Sequence, residues 1–192
     1  MPKPASTRPA YKMLTCIYLC RTLLFFAPYA DFSRINNPKK AVYESQTNAG
    51  PCFFCRKKDF LDIKYEDELW LDETPYAFPE DQVMYYKMYL NGLKILTSYD
   101  SEIVHLDAGS STGNVDRTCK VIYSEYKNKL IFWYRFLYSN EKNYLMRLWK
   151  IACITYIYGL QSVNAGYKLL KGKREEVNAF FRATKDALNF IM

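Results

Sequence analysis

A chain of 192 residues that is 49% hydrophobic and 17% aromatic has material for one core and is too apolar to be disordered along most of its length. Its net charge of +7 is unevenly placed, with 6 basic and 12 acidic groups over residues 55–108 against 14 basic and 5 acidic over residues 117–192, so an acidic middle is joined to a basic tail. Cys16, Cys20, Cys52, Cys55, Cys119 and Cys153 sit in a chain too large and core-rich for a disulfide scaffold, and the one C-x-x-C at Cys52 and Cys55 lacks the second pair that a structural zinc needs, which leaves free thiols of a reducing compartment.

In chain order, residues 1–10 are polar and proline-rich and read as loose. Met13–Ala30 is apolar but split by Arg21 and Pro28, which fits a short helix packed on the body better than a cleavable leader. Residues 45–50 read as a turn and Pro51–Arg56 as a strand. Lys57, Lys58 and Asp59 then open a short turn that buries Phe60 and Ile63. Tyr65–Phe78, with Glu66, Asp67, Glu68, Asp72 and Glu73, reads as an acidic loop, which by composition is a solvated surface.

The densest chemistry lies between Pro79 and Ser111. Pro79 has a fixed φ and no N–H, so it suits a helix start, and it places Glu80 and Asp81 in the first turn, where the helix dipole favours carboxylates. Val83, Tyr86 and Leu90 recur at spacings of three and four, and Asn91-Gly92 is a normal stop, so residues 80–91 are predicted helical. Leu93–Thr97 and Glu102–Leu106 read as an extended segment and a strand separated by a turn. The chain's single histidine, His105, falls at that strand's end, just before Gly109, Ser110 and Ser111.

Beyond the Gly109–Asn114 loop the periodicity is helical. Val115–Tyr138 is one predicted helix ended by Ser139-Asn140. Ile151–Tyr167 is uncharged for 17 residues between Lys150 and Lys168, the lower edge of spanning length. Glu175–Met192 is amphipathic, with Val177, Phe180, Phe181, Thr184, Leu188 and Ile191 on one face. A basic, aromatic helix of this kind lies on a bilayer surface or packs on another helix, and the pattern alone leaves both open.

Gly50 and Arg56 in G-P-C-F-F-C-R, Phe60, Glu80-Asp81, N-G-L-K-I-L at 91–96 and V-H-L-D-A-G-S-S at 104–111 together resemble the acceptor half of family-2 glycosyltransferases, over about residues 42–192. That resemblance implies an α/β GT-A fold (α+β for this half alone), here a partial GT-A-like sheet followed by membrane-associated amphipathic helices. It divides the chain into a remnant at 1–49, an acceptor and catalytic-base half at 50–114 and a basic helical region at 115–192. No two aspartates are spaced by two as D-x-D, the donor-binding motif of the family, and residues 1–49 are short for a nucleotide-binding half when one βαβ unit takes about 30 residues or more. The expectation is therefore a truncated or split form.

The resemblance implies inverting sugar transfer from a nucleotide-sugar donor to a polysaccharide or lipid-linked acceptor, peripheral to the cytoplasmic face of the inner membrane. Asp81 is then the general base, Glu80 its orienting partner, and Gln82 an acceptor-binding residue. Tyr65–Phe78 becomes the rim of an acceptor cleft, with Trp70, Tyr76 and Phe78 stacking on sugar. His105 holds a divalent metal, magnesium or manganese, and Gly109, Ser110 and Ser111 hold diphosphate. No nucleic-acid module is present in the sequence. Two other classes stay open: a non-catalytic membrane-associated fragment, and a small basic nucleic-acid-binding protein.

Overall fold

The computed structural model describes residues 42–45, 53–98 and 115–192. The apolar segment at 13–30, the strand expected at Glu102–Leu106 and the loop at 109–114 lie outside the described residues.

Strand β1 (Val42–Ser45) pairs antiparallel with β2 (Ile95–Ser98), Val42 opposite Ser98 and Ser45 opposite Ile95. Between them, helix α1 (Lys57–Asp62) starts where Arg56 is extended and where Asp59, acidic in the first turn, takes an ion pair from the Arg56 guanidinium at 2.6 Å. Two short 3₁₀ turns follow at Tyr65–Asp67 and Leu69–Leu71. Helix α2 (Glu80–Leu90) ends at Asn91, and Gly92 takes a positive φ of 81°, the left-handed step that a glycine accepts without a Cβ clash.

Helix α3 (Val115–Phe132) runs directly into a π-helical segment, Trp133–Tyr138. Helix α4 (Tyr144–Leu170) begins at Asn143, whose side-chain oxygen accepts from the Met146 N–H, and helix α5 (Arg174–Ile191) completes the set. The main core gathers Val83 and Tyr86 of α2, Trp70 and Leu71, the run Leu130–Trp133 with Phe136 and Leu137, Ile154 of α4 and Ala187 of α5. A second cluster packs Ile63, Met84, Tyr85, Met88 and Ile95 on the other side of α2. Helix α2 is therefore covered on two sides, and Leu90, expected on its buried face, is exposed.

Three expectations change. The described residues are mostly helical, and their β structure is the two-stranded antiparallel ribbon; the sheet of a GT-A fold is not among them. Residues 53–56 of the expected strand are irregular and pair with no strand among the described residues; Phe53 rests its ring 5.7 Å from Tyr85 edge-on and 6.4 Å from Phe60. Tyr65–Phe78 is no solvated loop: Glu68, Trp70, Leu71 and Thr74 are buried in it. It is stitched to α3 by Asn128 Nδ2 donating to Thr74 Oγ1 at 2.9 Å, by the Tyr76 N–H donating to Ser124 Oγ at 3.1 Å, and by Lys127 paired with Glu73 at 3.2 Å.

The face of α5 that packs inside is only partly the expected one. Val177, Phe180, Ala183 and Ala187 are buried, the Phe180 ring meets Tyr126 of α3 edge-on at 4.8 Å, and Tyr123 donates to Asp186 at 2.8 Å. Phe181 and Leu188, expected on that face, are exposed, because the alanines and not these larger residues face α3. No helix among the described residues is long and apolar enough to cross a membrane.

Candidate functional site

Pro79 precedes α2 through a cis Phe78–Pro79 bond, and Glu80, Asp81 and Gln82 occupy the first turn, each half-buried. Burial pushes the Glu80 carboxyl up from its ordinary value, and the neighbouring Asp81 charge pushes the same way, against its hydrogen bond with backbone. Tyr65 stands against this turn, its hydroxyl donating to the Glu80 carbonyl oxygen at 3.3 Å. Its phenol is pushed up to about 12, first by burial and then by the charges of Glu80, Asp81, Asp72 and Glu68. An acidic cluster around a neutral phenol is thus what the fold builds at the start of α2. Tyr65 was not singled out from the sequence, since nothing in its spacing places it against a turn fifteen residues on.

The expected stacking residues divide. Phe78 is 41% exposed and its ring lies 5.9 Å from that of half-buried Tyr76, so these two form an aromatic ledge directly before the acidic turn. Trp70 is 4% exposed and its indole N–H donates to Glu68 at 2.6 Å, so it offers no open face to a sugar. The reason is Glu68. This buried carboxylate also takes Lys87 at 2.8 Å and Arg135 at 3.1 Å, and the indole completes its set of donors. Burial drives the Glu68 carboxyl up, but hydrogen bonds from Lys87 and Trp70 and the charges of Lys87 and Arg135 outweigh it, and the net direction is down.

At the other end of α2, an open groove of about 460 Å³ is lined by Lys87, Tyr134, Arg135 and Asn140 among others. Its two cations share the single Glu68 carboxylate, so the groove keeps a net positive charge, carried on the Arg135 side that Glu68 does not reach.

His105, Gly109, Ser110 and Ser111 lie outside the described residues. Among the described residues no group of three or more histidine, cysteine, aspartate or glutamate side chains could hold a metal ion, so the divalent metal remains an expectation attached to His105. No family model matches the chain, and no curated protein or solved structure matches it.

Proposed function

We propose that the chain is the acceptor and catalytic-base half of an inverting family-2-type glycosyltransferase, with transfer onto a polysaccharide or lipid-linked hydroxyl. The observation that carries this reading is the half-buried carboxylate pair at the start of α2, flanked by the Tyr76–Phe78 ledge. A base must sit within hydrogen-bond reach of the hydroxyl it deprotonates, and two carboxylates side by side at a helix start can divide the roles of base and orienting partner. Asp81 takes the acceptor proton as the hydroxyl oxygen attacks the anomeric carbon and the nucleoside diphosphate leaves. Glu80 orients the acceptor, Gln82 donates to its neighbouring hydroxyls, and Phe78 covers a sugar face. A divalent metal held by His105 would steady the leaving diphosphate when bound.

The test supplies the protein with a D-x-D-bearing donor half as a second chain, a nucleotide-sugar, manganese and a lipid-linked acceptor. Asp81→Asn keeps the size of the side chain and removes the basic oxygen, so turnover should fall by about 10²–10⁴. Its folding should be unchanged, since an amide serves a first helical turn nearly as well. Absence of transfer, or turnover of Asp81→Asn within about threefold of the parent, far below the loss of a missing base, removes the enzymatic reading.

A further inference from the structure

Helix α4 is 27 residues long, yet only Cys153, Ile154 and Ala165 are buried against the body. Its outward face carries a heptad pattern. Trp149, Tyr156, Val163 and Leu170 recur every seven residues and are exposed. Offset by three, Leu145, Ala152, Gly159 and Gly166 recur every seven residues and are exposed as well. Alternating steps of three and four over this length are the seam of a helix that meets another helix.

The small residues need an explanation that the monomer does not provide. A Cβ built on Gly159 or Gly166 would meet nothing within 4 Å, so packing within the chain does not call for glycine at either position. Glycine inside a helix costs about 1 kcal/mol relative to alanine. Glycine at regular intervals on one face is instead suited to close approach by another backbone or a large side chain.

We propose that this face pairs with the same face of a second copy, antiparallel about a two-fold axis passing between positions 157 and 158. In that register Trp149 lies over the partner's Gly166, Tyr156 over the partner's Gly159, and Val163 over the partner's Ala152. Leu170 closes each end on the partner's Leu145. Every layer joins one large residue and one small one, except the end layers, where two leucines meet. Parallel pairing would set Trp149 on its own copy and Gly159 on its own copy, alternating clashes with voids, so the size pattern selects the antiparallel arrangement. The interface is isologous and closed, which limits assembly to a dimer.

The face is also neutral. The three charged side chains of α4 are held elsewhere: Arg147 donates to the Glu141 carbonyl oxygen at 2.6 Å, Lys150 donates to the Leu137 carbonyl oxygen at 2.9 Å and pairs with Glu141, and Lys168 pairs with Glu176 at 2.8 Å. Two copies therefore meet without like-charge repulsion, whereas a helix resting on anionic lipid borders its apolar face with free lysines and arginines. The seam from Leu145 to Leu170 is about 38 Å long at 1.5 Å per residue and about 10 Å across, a projected footprint of roughly 400 Å² per copy. Side-chain relief and the exposed borders Tyr144, Leu148 and Leu169 enlarge it. The flat footprint of the pair is about 800 Å², short of the roughly 1,200–2,000 Å² that stable interfaces bury in total, and the relief and borders must supply the rest, which sets the expected affinity in the micromolar range. This inference is independent of the glycosyl-transfer reading.

Sedimentation equilibrium of the full chain across the micromolar range should give twice the 22.7 kDa chain mass. Gly159→Leu overfills two symmetric layers, so it should weaken the dimer by about 100-fold. Helical circular dichroism and the melting temperature of the dissociated monomer should be preserved, because the new side chain enters open space. Ala152→Val alone and Val163→Ala alone should each weaken association, and the double variant, which exchanges large and small within one layer, should restore it to within about threefold, as volume-conserving swaps do. A monomeric parent, an unaltered dimer in Gly159→Leu, or no rescue in the double variant overturns the proposal. Vesicles of anionic phospholipid form the last arm. If lipid is the occupant, the parent is monomeric and Gly159→Leu binds vesicles more tightly; if a second copy is, the vesicle-bound fraction stays low for the parent dimer.

Discussion

A carboxylate in the core is stable only while its donors hold it. Glu68 is 6% exposed and receives Lys87, Trp70 and Arg135. Glu68→Gln keeps the shape but leaves the Lys87 and Arg135 cations without their counter-charge, and removing one partner of a buried pair costs about 3 kcal/mol. Urea denaturation at neutral pH should read that loss. The folded carboxyl is held below its ordinary 4.5, so its contribution is whole above that pH and is lost as pH falls through the folded value. The gap between parent and Glu68→Gln should therefore close in acid. Phenols give the opposite limb. Tyr65, Tyr123 and Tyr126 are each pushed up to about 12, in every case chiefly by burial. In the unfolded chain they ionise near 10, so their contribution is complete below that pH and is lost as pH rises toward 12. Ultraviolet titration should show these phenolates appearing together with unfolding, and Tyr65→Phe should lower the number that do.

At the scale of the element, α4 starts on one hydrogen bond, Asn143 Oδ1 accepting from the Met146 N–H at 3.2 Å. Asn143→Ala should cost about 1 kcal/mol by thermal or urea unfolding, and Asn143→Asp should cost far less. The elements themselves were largely legible. Pro79, the acidic pair and Asn91-Gly92 delimit α2 because caps and stops are local chemistry, and the same holds for the start of α3 and the span of α5. What could not be read is decided by what each element meets. Helix α2 has apolar residues at 83–86 and 88 because two clusters cover it, so its pattern is not that of a single face. Phe53 and Phe54 look like strand residues until Tyr85 and Phe60 give Phe53 a ring to rest on. The acidic run at 66–68 looks solvated because nothing local signals that Lys87 and Arg135, 19 and 67 positions on, will reach Glu68. The carboxylate pair of the candidate site was visible as sequence; Tyr65 beside it, and the removal of Trp70 from it, required the fold.

The whole molecule is held by α3 and α5 lying along one another. Ala183 and Ala187 of α5 are fully buried there, and their size sets how closely the two helices approach. Ala183→Leu should destabilise the protein by about 1–3 kcal/mol, since no space exists for the extra carbons. Calorimetry would register it as a lower melting temperature, and an unchanged value would mean that the helices slide apart freely. The π-helical segment beside this contact bears on how the chain can change length. There the backbone closes five residues apart rather than four, as in the Ser139 N–H to Tyr134 carbonyl bond of 2.9 Å. Such a segment is a helix holding one residue more than its turns accommodate. Deleting Tyr134 removes that extra residue, so an ordinary helix can close while Arg135, Phe136 and Leu137 keep the faces that meet Glu68, Tyr86 and the Lys150 ammonium. A residue deleted from the regular helix of α3 would instead turn everything after it by about 100°. The π-helical segment is thus the place in this run where a change of chain length can be absorbed without re-aiming the core.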